Sequence, residues 1–262
     1  MLAKEYLVLI CLLSFTTLSL AQTGDEPQKL KVLSFNIHHG SNTDNSFDLE
    51  RIAGIINDLE VDLVALQEID IRTLRSHKRD ILKELATLTG MKAYFAKAMD
   101  FDDGEYGVGI LSKKLFFNAE NISLPGNPGN EPRTAAKVSV PLAMKDSLIF
   151  MSTHLDYKED NSERLLQVKK LNSLITQGQP MILAGDLNAE PGSPEITFLL
   201  NKWTAADTSP SPAPTYPSGK PDKKIDYILF YPKERWKILD TRVVNDSIAS
   251  DHNAFFSVLE LR

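Results

Sequence analysis

Eight polar residues stand at or just beyond the ends of short apolar runs: Asn36, Glu68, His154, Asp186, Asn188, Asp226, Asp251 and His252. Six of them offer oxygen donors and two offer imidazole nitrogens. Hard oxygens from Asn, Asp and Glu suit Mg2+, Mn2+ or Ca2+ better than zinc. The imidazoles are then left for proton work. A carboxylate that accepts from one ring nitrogen fixes the tautomer and leaves the other nitrogen to take a proton from water. Each residue alone has an ordinary explanation, such as a turn Asn, a Glu paired with an arginine or a satisfied core His. Together they point to one shared cleft, because buried carboxylates need cations or partners.

The stretch that organises these residues is Met181-Ile182-Leu183-Ala184-Gly185-Asp186-Leu187-Asn188, entered from Pro180. Its four leading apolar residues read as a short buried strand. Asp186 and Asn188 share side-chain parity, so both face one pocket if the extended form persists. The alternative is a turn built on two Asx residues.

The other elements follow in order. Leu30–Ile37 reads as a strand and Asp48–Leu59 as a helix striped by Leu49, Ile52, Ile56 and Leu59. Leu63–Leu66 is a buried strand ending in Gln67-Glu68, and His77–Leu88 an amphipathic helix stopped by Gly90. Lys92–Met99 and Gly107–Ser112 read as strands around the acidic turn Asp100–Glu105, and Leu115–Leu124 as another. Arg133–Val140 and Leu148–Thr153 pair around Met144-Lys145-Asp146; a helix capped by Asp160 or Asn161 runs to about Thr176, and Pro194–Leu200 forms a short one. Ala205–Lys224 holds five prolines and no periodicity, so it is expected to be a weakly packed loop at the cleft rim. The strands Ile225–Phe230, Trp236–Val244 and Ala254–Leu261 close the chain. Strands and helices alternate early and hairpins dominate later, which fits two packed sheets with helices outside.

The chain has 262 residues, 42% hydrophobic and 24% charged, enough for one large core. Its net charge of -6 provides no global basic field for nucleic acid or anionic membrane. Lys4 precedes the apolar run Tyr6–Leu20, and Ser19-Leu20-Ala21 has the form of a signal peptidase site. The run contains Thr16, Thr17 and Ser19 and is short for a membrane span, although an uncleaved anchor is the alternative. Residues 1–21 are thus expected to be a signal peptide and 22–262 one exported domain, periplasmic or secreted, monomeric and without a transmembrane segment. The single cysteine, Cys11, lies in the leader, so the mature chain uses no disulfide.

The set Ser34-Phe35-Asn36, Leu66-Gln67-Glu68, Ser152-Thr153-His154-Leu155, Gly185-Asp186-Leu187-Asn188, Ile225-Asp226-Tyr227 and Ser250-Asp251-His252 resembles the endonuclease/exonuclease/phosphatase superfamily. That superfamily includes pancreatic deoxyribonuclease, apurinic endonucleases, neutral sphingomyelinases and inositol polyphosphate 5-phosphatases. The resemblance implies an α/β fold, a four-layer α/β/β/α sandwich of two packed mixed sheets with outer helices and a cleft at one rim. It implies that Asn36 and Glu68 hold Mg2+ or Mn2+, with Asp251 close to the metal or aligning the cleft. It makes His252 the general base oriented by Asp226. Asp186 and Asn188 would orient the attacking water and the phosphoryl oxygens, and His154 would bind or protonate a phosphate oxygen.

Thr153-His154-Leu155 departs from the apurinic endonuclease pattern and is closer to the deoxyribonuclease, sphingomyelinase and phosphatase branches. The run Gln67–Ser76 resembles a bacterial subgroup of poorly defined substrates. Arg72, Arg75, Arg133 and Lys224 are candidate phosphate contacts, since cations, guanidinium forks above all, suit anionic oxygens; the alternative for each is a solvated surface charge. The expected activity is hydrolysis of a phosphodiester or phosphomonoester, with a small molecule or lipid headgroup favoured as substrate. A secreted nuclease and a non-catalytic binding protein of the same fold stay open. The acidic charge disfavours the first, and the intact Glu68, Asp186, Asp226 and His252 disfavour the second.

Overall fold

The computed structural model describes residues 27–142 and 146–262. The expected leader and most of the turn at Met144-Lys145-Asp146 lie outside the described residues. The chain runs β1 (Gln28–Asn36), α1 (Leu49–Asp58), β2 (Leu63–Ile71), α2 (Ile81–Thr89), β3 (Lys92–Phe101), β4 (Gly104–Ser112), β5 (Phe117–Ser123), β6 (Thr134–Pro141) and β7 (Ser147–His154). It continues through α3 (Ser162–Ser173), β8 (Met181–Asp186), α4 (Pro194–Leu200), β9 (Thr204–Ala205), β10 (Asp226–Tyr231), β11 (Trp236–Val244) and β12 (Ala254–Leu261). Two six-stranded sheets result, ordered β11-β12-β1-β2-β4-β3 and β5-β6-β7-β8-β10-β9. Both are mixed: β1 with β2 and β7 with β8 are parallel, and every other pairing is antiparallel.

Three apolar layers hold the expected sandwich together. Val32, Ala65, Ile110, Val138, Phe150, Ile182 and Ile228 pack between the sheets. Leu33, Phe35, Val64 and Leu66 face the other way, onto Leu49, Ile52, Ile56, Ile81 and Leu85 of α1 and α2. Met151, Leu183 and Leu229 face Val168, Leu171, Ile196 and Leu199 of α3 and α4. Strand side chains alternate between faces, so even-numbered positions of β1, β7, β8 and β10 point between the sheets. Carried to one end of the sandwich, that parity places Asn36, His154, Asp186 and Asp226 on the inner face. Register brings them side by side: Asp186 lies opposite His154 on β7 and opposite Asp226 on β10. Gly185 has no room for a side chain against neighbouring β7; a Cβ there would lie 2.0 Å from the Thr153 carbonyl oxygen.

Several boundaries differ from expectation for local reasons. Strand β2 does not stop at Gln67-Glu68 but bulges there, its register slipping between Leu66 and Ile69. Helix α2 starts at Ile81 because the Asp80 carboxylate caps the Lys83 amide, while His77 and Lys78 have positive φ. The hairpin of β3 and β4 closes on Asp102-Asp103, so both strands run into the expected acidic turn. Helix α3 buries polar Glu163, Arg164 and Gln167 beside Val168 and Leu171. Glu163 accepts from Asn127 and Asn130, Arg164 donates to Glu195, and Gln167 accepts from the Asp156 amide and donates to the Pro125 carbonyl. Its inner face thereby anchors the loops that wall the cleft.

Candidate active site

Beneath the cleft the core turns polar. Ser34, Gln67 and Ser152 are fully buried on the inner face, and Gln67 Nε2 reaches Ser152 Oγ across the sheets at 3.4 Å. Above this layer opens a cleft of about 720 Å³. Asn36, Glu68, His154, Asp186, Asn188, Asp251 and His252 all line it. Asp226 is fully buried immediately behind His252.

Asn36 is the connecting residue. Its Nδ2 donates to Glu68 Oε1 and to Asp186 Oδ2, both at 3.1 Å, while its Oδ1 accepts from the His38 amide at 3.1 Å. The resemblance implies a metal ligand at this position; in the structure its Nδ2 ties the two carboxylates together. Glu68 sits on the β2 bulge with φ of 58°, a conformation that costs a non-glycine residue energy and that such sites retain. Its Oε2 lies 4.0 Å from His39 Nδ1. Burial pushes the Glu68 carboxyl up, but the side chains of His39 and Asn36 act against it, and the group is held well below the usual carboxylate range.

Asp226 Oδ2 lies 3.0 Å from His252 Nδ1, and His252 Nε2 lies 3.6 Å from Asp186 Oδ2. Nδ1 therefore carries a proton toward Asp226 and Nε2 faces the cleft. Burial alone would lower the His252 pKa; Asp226 and Asp186 reverse this and raise it above an ordinary imidazole. Burial, reinforced by Asp226, raises Asp186. The seat of the pair is fixed from two sides: Ser250 Oγ donates to the Asn36 carbonyl at 2.7 Å, and Thr215 Oγ1 accepts from the Asp226 amide at 3.4 Å.

Asn188 does not continue the strand. Its φ is 47°, and its amide donates to Asp186 Oδ1 at 2.9 Å, so the Asx turn and the site are the same object. Asn188 Nδ2 donates to the Leu155 carbonyl and lies 3.0 Å from His154 Nε2. The same Nε2 lies 3.4 Å from Asp186 Oδ2, while His154 Nδ1 is buried without a hydrogen-bond partner. Burial and then the charge of Arg133 push the His154 pKa well down, so the ring is neutral.

The four expected phosphate contacts separate. Arg75 and Arg133 line the cleft. Arg75 is forked onto the fully buried Asp70 at 2.7 and 2.8 Å, with Thr73 Oγ1 also donating to Asp70, which accounts for the Asp70–Ser76 run. Arg72 is exposed and lies outside the cleft lining. Lys224 is buried, its Nζ 3.1 Å from the Phe255 ring centroid and without a hydrogen-bond partner, so it points into the apolar interior. Sequence reasoning missed His39 and Tyr216. The Tyr216 ring lies 4.7 Å from the His252 ring and closes one side of the cleft. It is the single aromatic residue between positions 205 and 224, the one signal that could have found it.

The family model for the Endonuclease/Exonuclease/phosphatase family matches residues 33–252, and the chain belongs to that family. Members of the family are hydrolases, phosphatases and nucleases among them. The fold is similar to that of an endonuclease/exonuclease/phosphatase from Beutenbergia cavernae, with TM-score 0.75, 21% identity and coverage of 89% of this chain and 72% of that one. It is also similar to a mannosyl-6-phosphatase of Bacteroides thetaiotaomicron, with TM-score 0.71, 17% identity and coverage of 88% and 99%. The human Nocturnin catalytic domain aligns with TM-score 0.71, 20% identity and coverage of 90% and 94%. At these identities the likeness shows the fold alone. No curated protein sequence matches the chain.

Proposed function

We propose that this protein is an exported, divalent-metal-dependent phosphoesterase that hydrolyses a P–O bond with an activated water. The observation that carries the reading is the Asp226–His252 pair, whose Nε2 faces the cleft 3.5 Å from Asn36 Nδ2 and 3.6 Å from Asp186 Oδ2. His252 takes the proton from water at Nε2, and Asp226 stabilises the resulting imidazolium. Asp186 and Asn188 orient the water and the phosphoryl oxygens, and neutral His154 lines the cleft beside them, where it binds a phosphate oxygen.

The donor set fits a hard dication. Glu68, Asp186 and Asp251 line one cleft, and among the described residues no lysine or arginine forms an ion pair with any of them. Asp186, Asp226 and His252 also hold ligand-type atoms within 4.8 Å of one another. Asn36, Glu68 and Asp251 would hold Mg2+ or Mn2+, and the bound ion would neutralise charge on the nonbridging oxygens. A small phosphate ester is favoured over nucleic acid, because Glu159 and Glu190 stand on the cleft wall with no ion pair among the described residues and the chain carries a net charge of -6. No described helix is long and apolar enough to cross a membrane.

The test is turnover of chromogenic phosphate esters with Mg2+, Mn2+ or EDTA. Metal-dependent hydrolysis abolished by EDTA and by His252→Ala is expected; EDTA-resistant hydrolysis overturns the reading. Export is tested separately: the secreted or periplasmic protein should begin near Gln22, and a product retaining Met1 refutes cleavage.

A further inference from the structure

Three arginines stand on the cleft wall, and they differ in what their guanidinium groups hold. Arg164 is satisfied, donating to Glu195 and to the carbonyls of Asp156 and Lys158. Arg75 is forked onto Asp70. Arg133 is different. Its side chain is 3% exposed, yet its Nε and Nη1 are buried without a hydrogen-bond partner. The Glu131 carboxylate lies 3.2 Å from Nη1 without completing a hydrogen bond, and Glu131 Oε1 is itself left unsatisfied. An unpaired buried guanidinium is costly, and a poorly seated carboxylate offsets only part of that cost.

The surroundings show what the group is held for. Arg133 lines the cleft beside His154 and Glu68 and contributes to keeping His154 neutral. Glu131 belongs to the segment Asn127–Pro132, rich in Gly, Pro and Asn, which is tied down through Asn127 and Asn130 to Glu163, not through Glu131 itself. The exposed Tyr157 ring lies near the guanidinium, with Cζ 5.8 Å from the ring centroid. Thus a buried cation with free donors adjoins the reacting centre, and the anion over it is one that can be displaced.

We propose that Arg133 makes this cleft selective for terminal phosphate monoesters, with Glu131 as a stand-in anion that the substrate displaces. The inference rests on the phosphoesterase reading above and narrows it. A monoester carries about two negative charges and three nonbridging oxygens at neutral pH, whereas a diester carries one charge and two such oxygens. The additional charge and the additional acceptor are what Arg133 takes, and charge-assisted hydrogen bonds to a guanidinium are strong enough to discriminate.

The experiment compares wild type, Arg133→Lys, Arg133→Ala and Glu131→Gln with p-nitrophenyl phosphate and bis-p-nitrophenyl phosphate in Mg2+. Inorganic phosphate binding to the same proteins is measured by calorimetry. The monoester-to-diester ratio of kcat/KM should fall about 10-fold in Arg133→Lys and about 30-fold or more in Arg133→Ala, with phosphate affinity falling in parallel. Glu131→Gln should move the other way, tightening phosphate and lowering the monoester KM several-fold with kcat little changed. Equal losses on both esters, or weaker phosphate binding in Glu131→Gln, overturn the proposal. If Arg133→Ala fails to fold, Arg133→Lys and Glu131→Gln carry the test. A wild type that hydrolyses neither ester refutes the phosphoesterase reading, while the calorimetry still decides the anion site.

Discussion

Asn36 and Asp186 are 150 positions apart in the chain, and the Asn36 amide nitrogen lies 3.1 Å from the Asp186 carboxylate. The same nitrogen holds Glu68, so one neutral side chain joins β1, β2 and β8 and separates two acids. Asn36→Asp keeps the shape and removes both donors, leaving three carboxylates in contact. Stability should fall by about 3 kcal/mol at neutral pH, since breaking a buried polar pairing leaves uncompensated charge. Mg2+ or Mn2+ should then raise the melting temperature more than in wild type. Melting curves with and without metal decide it: a variant as stable as wild type in EDTA would show that Asn36 does not hold the two acids apart.

Glu68 illustrates a site that trades stability for function. Its φ of 58° costs a side chain roughly 1–2 kcal/mol that glycine avoids. Glu68→Gly relieves that strain but forfeits the contacts with Asn36 and His39 that hold the carboxylate ionised, so it should melt no higher than wild type in EDTA while losing metal-dependent turnover. Glu68→Gln keeps the strain and should lose Mn2+ affinity, read by titration. A Glu68→Gly variant several degrees more stable than wild type would show that the backbone strain outweighs those contacts.

Lys224 tests where its charge resides. Burial lowers its pKa from 10.5 to about 7, against the opposing pull of Asp226 and Asp207. In the unfolded chain the amine holds its proton up to about 10.5, so between pH 7 and 10.5 the unfolded state binds more protons. This group's contribution to stability therefore rises with pH across that window and is least favourable below it. Lys224→Met should stabilise by about 1–3 kcal/mol at pH 6, with the gain shrinking as pH climbs. KM for a phosphate ester should stay within about threefold, because the ammonium lies over Phe255 and not in the cleft. Denaturant melts across pH, with KM measured alongside, check both halves.

Much of the site was legible because strand parity is rigid. Once Ile182 and Ala184 face the opposite sheet, Asp186 must also, and the same step from Val32 and Ser34 delivers Asn36. Parity fails where the backbone leaves the extended region. Glu68 and Asn188 both have positive φ, so neither its strand end nor its facing could be read from spacing. Residue type also says nothing about which way a flexible cation folds, and so Arg72, Arg75, Arg133 and Lys224 looked alike. Tyr216 was hidden because a proline-rich loop has no period to read.

The loop of residues 205–224 is held more firmly than its composition implies. Thr215 is fully buried, its carbonyl accepts from the Asn253 amide at 2.8 Å, and the Ser218 amide donates to the Asp251 carbonyl at 2.7 Å. The weak packing expected there applies to residues 208–211, which are exposed. Excising those four should shift the melting temperature by less than about 2 °C. Thr215→Val should cost about 1–2 kcal/mol through the lost acceptor beneath Asp226. Tyr216→Ala should change KM among esters more than it changes stability. Excision that unfolds the protein would refute this division of the loop.

Asp226 and His252 are 26 positions apart and meet at 3.0 Å, so they should titrate and fail as a unit. The carboxylate raises the pKa of the ring, and protonated His252 cannot accept from water. Activity should therefore fall on the acid side as His252 gains its proton, with that limb above the position expected for an ordinary imidazole. Asp226→Asn removes the charge that favours the imidazolium. The acid limb should move down by about one pH unit, and the maximal rate should drop about 100-fold because the proton acceptor loses its stabilising partner. His252→Ala should be nearly inactive, and adding Asp226→Asn to it should cost little more, since residues acting through one another are not additive. The check is a pH–rate profile for wild type and Asp226→Asn with a double-mutant cycle at the optimum. Multiplicative losses, or an acid limb that stays in place, would separate Asp226 from the base.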